Sequence, residues 1–358
     1  MSALGDLLKA EIAAHGPISV EDFMARALGD PVHGYYIKQD PFGAAGDFTT
    51  APEVSQMFGE MIGLCLADHW MRAGAPKAFV LCECGPGRGT LMADIWRATK
   101  IVPGFHQAAR IVLVETSPVL RARQLETLGQ VGAQAWHVDS FADVPDGPLW
   151  LVANEFFDAL PIRQFVKTET GWHARLVGLG ETGALSFGLA PEPDPILTQE
   201  APLGSVLEIM VSGLIFMQAL AQHIAAQGGL ALLIDYGHGA SGLGDTLQAM
   251  RAHRFVDVLH EPGDCDLTAH VDFAALARVA RQAHASVFGP ATQGDFLCAL
   301  GIEARAQRLQ QHARDPASVA RALQRLTDMD QRGMGSLFKV LGIGQRGGPA
   351  PAGLGEIS

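Results

Sequence analysis

The sequence predicts an α/β fold built on an open, doubly wound, mostly parallel sheet, and three observations predict it. Apolar runs of strand length recur at 79–83, 110–114, 149–153 and 229–234. The first enters a glycine-rich turn, Phe79-Val-Leu-Cys-Glu-Cys-Gly-Pro-Gly-Arg-Gly89, and then a segment whose Leu91, Ile95 and Ala98 share one helical face. Strand, glycine turn and helix form the first half of a nucleotide-binding βαβ unit, where a Cβ would hold the backbone away from a ligand. Finally, successive strands end in polar residues, and strand C-terminal ends are where open α/β sheets bind ligands.

The turn lacks the Lys-Ser/Thr pair of a phosphate-binding Walker loop. Its glycines, Gly85, Gly87 and Gly89, are spaced G-x-G-x-G, not G-x-G-x-x-G as in a dinucleotide site. With Glu83 at the strand tip the pattern is E-x-G-x-G-x-G, which resembles the first motif of class I S-adenosylmethionine-dependent methyltransferases. The same glycines also fit an ordinary turn, so the following strand tips have to carry the reading. Arg110-Ile-Val-Leu-Val ends in Glu115, which lies further beyond Gly85 than the about 20 residues usual in a dinucleotide site. The resemblance places Glu115 on the two ribose hydroxyls, which a carboxylate can accept as a pair. A third strand, Gln134–Val138, leads to Asp139 and Ser140, where such enzymes often bind the adenine amino group. A fourth, Leu149–Ala153, leads to Asn154 and Glu155.

Length and composition bound the rest. A chain of 358 residues holds two domains, or one large α/β domain with additions. With 48% hydrophobic and 18% charged residues it is not a disordered polymer. No apolar run reaches the ~18 residues of a membrane span; Val211–Ala221 is bounded by Glu208 and His223 and reads as a buried helix. Asp6, Lys9 and Glu11 interrupt any signal-peptide core, and the N-terminus is too acidic for a transit peptide, so a cytoplasmic bacterial protein is expected. A net charge of −12 argues against nucleic acid as the main partner. The five cysteines are scattered; Cys82 and Cys84 share one strand face and read as small core side chains, and no metal site is expected.

In chain order, residues 1–76 read as a helical extension. Leu4, Leu7, Leu8 and Ile12 line one face, and Ser19 caps a second helix with Asp22 three positions on. Thr50 and Glu53 have capping-box spacing before a helix that presents Val54, Met57, Phe58, Met61, Ile62, Cys65 and His69 on one stripe. The N–H groups at that helix start suit a carboxylate, so the Asp47–Thr50 loop is expected to cover a cofactor; a plain helix entry is the alternative. Residues 77–345 form the Rossmann-like domain, with 161–228 inserted. The insertion holds a hairpin, 162–167 and 172–177, a further strand near 183–188, and one long helix from Val206 to Ala226. A fifth strand ends at Asp235, an acid-rich turn precedes a helix at 273–283, and a sixth strand covers 285–289. Two helices, about 293–312 and 316–331, lead to a seventh strand at 335–342. Residues 346–358, rich in Gly and Pro, read as a disordered tail.

Five strings carry a more specific resemblance: Gly46-Asp-Phe-Thr-Thr-Ala-Pro-Glu-Val-Ser55, Glu83-Cys-Gly-Pro-Gly-Arg-Gly-Thr-Leu91, Asn154-Glu-Phe-Phe-Asp-Ala-Leu-Pro161, Ile234-Asp-Tyr-Gly237 and Asp266-Leu-Thr-Ala-His-Val-Asp-Phe273. In order and over nearly the whole chain, they resemble the MidA-like family, whose mitochondrial members are protein arginine methyltransferases that assist assembly of respiratory complex I. The resemblance implies a class I methyltransferase fold: a seven-stranded Rossmann-like sheet with helices on both faces, an N-terminal helical extension and an inserted β-hairpin substrate lobe. It implies S-adenosyl-L-methionine as cofactor, held by Asp47, Thr49, Thr50, Glu83, Gly85, Gly87, Gly89, Glu115, Asp139, Ser140 and Asn154. It implies a basic, arginine-containing protein as partner, such as a complex I subunit. Asn154, Glu155 and Asp158, at the fourth-strand exit where amine-methylating enzymes hold their acceptor, become the catalytic candidates, because the carboxylates of Glu155 and Asp158 can pair with a planar guanidinium. Three alternatives stay open: an NAD-type oxidoreductase on a similar fold, a non-catalytic assembly protein retaining the cofactor site, and a small-molecule methyltransferase.

Overall fold

A computed structural model describes residues 2–38, 50–330 and 333–355. Its centre is a sheet of seven consecutive strands: β1 (Phe79–Cys84), β2 (Ala109–Val114), β3 (Ala135–Val138), β4 (Leu149–Asn154), β5 (Gly229–His238), β6 (Ser286–Thr292) and β7 (Phe338–Gly344). They lie in the order β6-β7-β5-β4-β1-β2-β3. All neighbours are parallel except β7, which runs antiparallel to β5 and β6. The short strand Val271–Asp272 adds an eighth beside the end of β5, one more than the sequence predicts. β1 and β4 are buried along their whole length, as continuous apolar runs demand in a sheet covered on both faces. The strand order reverses between β1 and β4, so both chains leave the sheet around one crevice.

The pleat sorts the side chains into two cores. Phe79 and Leu81 pack with the helices Gln56–Arg72 and Thr90–Thr99 on one face; Val80, Cys82 and Cys84 pack on the other with Met217, Leu220 and Phe273. Helix Gln56–Arg72 meets its neighbour at two glycines. A Cβ on Gly59 would lie 2.5 Å from Asp94 Cβ, and one on Gly63 2.9 Å from Ile95 Cα. Glu60, buried at the same contact, takes a forked pair of hydrogen bonds from Arg305 at 2.7 and 3.0 Å.

Beside the sheet ends stands a lobe, and here the sequence reading needs correction. Val206–Ile209 is a strand rather than the start of a helix; it pairs with Arg163–Val166, and the helix runs only from Val211 to Gln227. Glu208 explains the change, since its carboxylate accepts from Thr246 N, Leu247 N and Gln164 Nε2, partners that local periodicity does not reveal. The extension 1–76 is divided between two cores. Helices Ala3–His15 and Val20–Gly29 pack with Ile162, Val177 and Leu267 of the lobe, whereas Gln56–Arg72 belongs to the central sheet. Thr50 makes no side-chain cap; a short helix Ala51–Val54 ends at Ser55, whose hydroxyl caps the long helix through Met57 N. Likewise Gly301, at φ +89, splits the expected 293–312 helix, and the last long helix ends at Thr327.

The tail is ordered as far as it is described. Leu354 is buried, Cys65 donates to Ala352 O, and His69 bridges Trp150 Nε1 (3.2 Å) to Pro349 O (3.1 Å). Burial holds His69 down at a pKa of about 4, so it is neutral and can both accept and donate. Residues 356–358 lie outside the described residues. The packed helix contact yields a first prediction. Gly63→Val must separate the Gln56–Arg72 and Thr90–Thr99 helices or strain them, costing about 1–3 kcal/mol. A urea titration should show a lower midpoint at unchanged slope; an unchanged midpoint would refute the close contact.

Candidate active site

β1 leaves the sheet through Gly85, Gly87 and Gly89, at φ +64, +52 and +81. These left-handed values favour glycine. A Cβ on Gly85 would stand 3.1 Å from Phe156, and one on Gly89 3.3 Å from the Gln124 backbone. The turn therefore passes closely beneath a cavity of about 510 Å³. Thr50, Gly85, Gly87, Glu115, Asp139, Ser140, Glu155 and Asp158 line it, so most of the expected site residues meet there. A recess of about 40 Å³ shares Thr50, Gly85, Gly87 and Glu155 with it and adds Glu83 and Asn154. Gly89 lines neither; it turns the chain into the helix Thr90–Thr99. Asp47 and Thr49 lie outside the described residues.

At the Glu115 end the geometry is built around a residue that motif reading missed. Gln124, fully buried, donates to Gly87 O at 2.7 Å and to Glu115 Oε2 at 3.2 Å, and accepts from His137 Nε2 at 2.8 Å. It ties the glycine turn, the β2 tip and β3 into one unit. A signal existed, because Leu120, Gln124 and Leu128 repeat at helical spacing and only the middle one is polar. Glu115 Oε1 also accepts from Thr116 N and Ser117 N, both at 2.8 Å. Three of the carboxylate's about four acceptor positions are thus occupied, leaving less room for a hydroxyl pair than the sequence implied. Burial still pushes its pKa up. Asp139 is exposed and paired with Arg121, and the Ser140 hydroxyl donates to Asp143 at 2.8 Å.

Glu83 points to the opposite face of the sheet from Cys82 and Cys84, into the recess. Burial, with Asp94 nearby, raises its pKa to about 8, and its Oε2 has no hydrogen-bond partner. A buried acid with one unpartnered oxygen beside a glycine cradle suits a ligand that brings a cation or an N–H donor. Glu53 accepts from Thr90 Oγ1 at 2.7 Å and lines the same recess.

The other end of the cavity is carboxylate-rich. Glu155 takes φ +50 directly after β4, and its Oε1 accepts from Ala51 N (3.2 Å) and Asn154 Nδ2 (3.1 Å). Asp235 Oδ2 then collects three successive backbone donors, Phe156, Phe157 and Asp158 N, at 3.2, 3.0 and 3.1 Å. Asp158 is left with its Oδ1 buried and unpartnered. Burial drives its pKa to about 6, and burial together with Asp158 drives Glu155 to about 7. Tyr36, Tyr236 and Asp266 complete this end. Among the described residues, the cavity lining holds Glu115, Asp139, Glu155, Asp158 and Asp266 but no Lys, Arg or His. No cluster able to hold a metal occurs among them either, and no helix is long and apolar enough to cross a membrane.

Sheet order, glycine cradle and strand-tip acids together define an S-adenosyl-L-methionine-dependent methyltransferase of class I, and the comparisons agree. A family model described as S-adenosyl-L-methionine-dependent methyltransferase matches residues 61–291. The zebrafish (Danio rerio) mitochondrial protein arginine methyltransferase NDUFAF7 is 39% identical over 84% of this chain and 77% of its own length; the human protein is 36% identical over 94% and 82%. A Burkholderia thailandensis protein crystallised with S-adenosyl-homocysteine superposes with a TM-score of 0.87 at 30% identity, covering 99% of this chain and 96% of that one. The chain belongs to the MidA-like family of methyltransferases, and its cofactor is S-adenosyl-L-methionine.

If Gln124 holds the cradle together, Gln124→Leu should weaken S-adenosyl-homocysteine about tenfold, as expected from about 1–3 kcal/mol for each buried group left unsatisfied. Titration calorimetry checks this, and wild-type affinity would reduce Gln124 to a packing residue.

Proposed function

We propose that this methyltransferase modifies an arginine guanidinium of a protein substrate. The observation that carries the reading is the acceptor end itself, where half-buried Glu155 and buried Asp158 meet with no basic residue among the described residues of the lining. Desolvated carboxylates of one sign are costly unless a cation joins them. The names of the curated relatives support the same substrate. In this reading the glycines pass beneath the cofactor, Glu115 binds its ribose, and Asp139 and Ser140 face the adenine. Glu83, Asn154 and Thr50 surround its methionine end. Once bound, S-adenosyl-L-methionine supplies a sulfonium methyl for in-line displacement. Glu155 and Asp158 orient the guanidinium so that one nitrogen presents its lone pair, and Glu155, with its pKa near neutrality, accepts the proton that this nitrogen loses. We extend the reading to a respiratory complex I subunit as the arginine's carrier and to the bacterial cytoplasm as the setting; its support is the motif resemblance.

The test pairs activity with stability. Glu155→Gln and Asp158→Asn should keep cofactor affinity but lose about a hundredfold in transfer, which is about 2.7 kcal/mol of transition-state stabilisation. Wild-type transfer should rise as pH climbs through the raised pKa values of about 6 and 7, because the acceptor needs both carboxylates ionised. Stability should run the other way. A carboxyl whose folded pKa is raised contributes stability below its unfolded pKa and loses it as pH rises through the folded one. Both neutral variants should therefore melt higher than wild type at pH 8 and not at pH 5. Had Asp158 merely capped the turn into Ala159-Leu-Pro161, its replacement would lower the melting temperature and spare the rate. Full activity in both variants would end the guanidinium reading.

A further inference from the structure

The helical turn Tyr35–Lys38 reaches from the N-terminal helices onto strand Asp266–Thr268 and is fastened at alternate positions: Lys38 pairs with Asp264, and Tyr36 OH donates to Asp266 Oδ1 at 3.0 Å. Tyr35 anchors the turn in the lobe core. Of the two fastened carboxylates, Asp266 is the one that lines the cavity, and it is only 5% exposed. The end of its strand lies against the acceptor loop, since Ala269 N donates to Asp158 O at 3.0 Å. The charges of both Asp266 and Asp158 bear on the Tyr36 phenol. A phenol donates a single proton, and that of Tyr36 is given to Asp266; Asp158 Oδ1 stays buried with no partner at hydrogen-bond distance, although the Tyr236 phenol beside it favours its charge.

We propose that Asp266, held by Tyr36, is a specificity-determining carboxylate of the acceptor site: Asp158 and Asp266 flank one planar cation and select a guanidinium over an ammonium. The proposal rests on the arginine reading above. Its chemical reason is the count and plane of the donors. A guanidinium presents five N–H groups in a fixed fork, enough to engage two carboxylates while a further nitrogen faces the methyl donor. An ammonium is a compact point charge with three donors, and it gains less from a second carboxylate on a different element.

Binding to the S-adenosyl-homocysteine-saturated protein, with N-acetyl-L-arginine amide and N-acetyl-L-lysine amide as probes, tests this by calorimetry. Wild type should prefer the arginine probe. Asp266→Asn keeps the shape and the acceptor for Tyr36; it should bind the arginine probe about tenfold or more weakly, with S-adenosyl-homocysteine affinity within about twofold of wild type. Tyr36→Phe should give a smaller loss, about two- to fivefold, and decides the matter if Asp266→Asn does not fold. Lys38→Met, which removes only the neighbouring fastener, should leave the arginine probe unaffected. Wild-type arginine affinity in Asp266→Asn, or in Tyr36→Phe where that variant decides, overturns this inference and leaves the arginine reading standing. An equal loss in Lys38→Met also overturns it, because Asp266 would then act only by anchoring the turn. No preference for arginine in the wild type removes both.

Discussion

One carboxylate governs the acceptor end of this molecule. β4 ends in a left-handed residue, Glu155, after which three consecutive peptide N–H groups would be stranded in a dry environment. Asp235, at the corresponding end of the adjacent β5, collects all three on Oδ2 and takes Tyr236 N on Oδ1 at 2.9 Å. Burial, with Asp158 and Glu155 close by, pushes the Asp235 carboxyl well up; the four backbone donors oppose that by favouring the ionised form. The chain can therefore turn sharply without losing backbone hydrogen bonds, and Asp158 is delivered into the cavity rather than into the loop's own capping. Remove this acceptor and the positions of Glu155, Phe156 and Asp158 are no longer determined.

The same economy explains why the site is electrostatically strained. Acids stand at both ends of the crevice, buried Glu83 by the glycine turn and, at the lobe, half-buried Glu155 with buried Asp158 and Asp266. Burial raises the pKa of Glu83, Glu155 and Asp158, and carboxyls perturbed in this way cluster where a ligand binds. The cofactor end answers part of this strain internally through Gln124 and the Thr116 and Ser117 amides. At the acceptor end Asp158 Oδ1 has no partner at hydrogen-bond distance, and Tyr236 and the nearby backbone N–H groups only partly offset its burial. The methyltransferase class rests on the family to which the chain belongs, and the burial pattern adds the carboxylate-rich character of the acceptor end.

Much of the fold was legible because the central strands are buried on both faces. Continuous apolar runs marked β1, β2, β4 and β5, and the polar residue ending each run marked the crevice. Where burial is one-sided the reading faltered. Val206–Ile209 has a helix-compatible pattern and becomes a strand only because Arg163–Val166 lies beside it. The Gly/Pro-rich tail carries no periodicity, yet Trp150, reaching through His69, holds it against the sheet.

By itself, then, the sequence determined what depends on neighbours along the chain: the strands, the glycine turn that admits a ligand, the acids at the strand tips and the family. The tertiary structure alone decided what depends on neighbours across it. Gln124 matters because Gly87, Glu115 and His137 converge on it; Asp235 because a loop 77–79 positions earlier runs past its carboxylate. Tyr36 and Asp266 share a site though 230 positions apart. Local pattern encodes which face a residue presents, but a hydrogen bond between distant segments exists only once packing has brought both ends together.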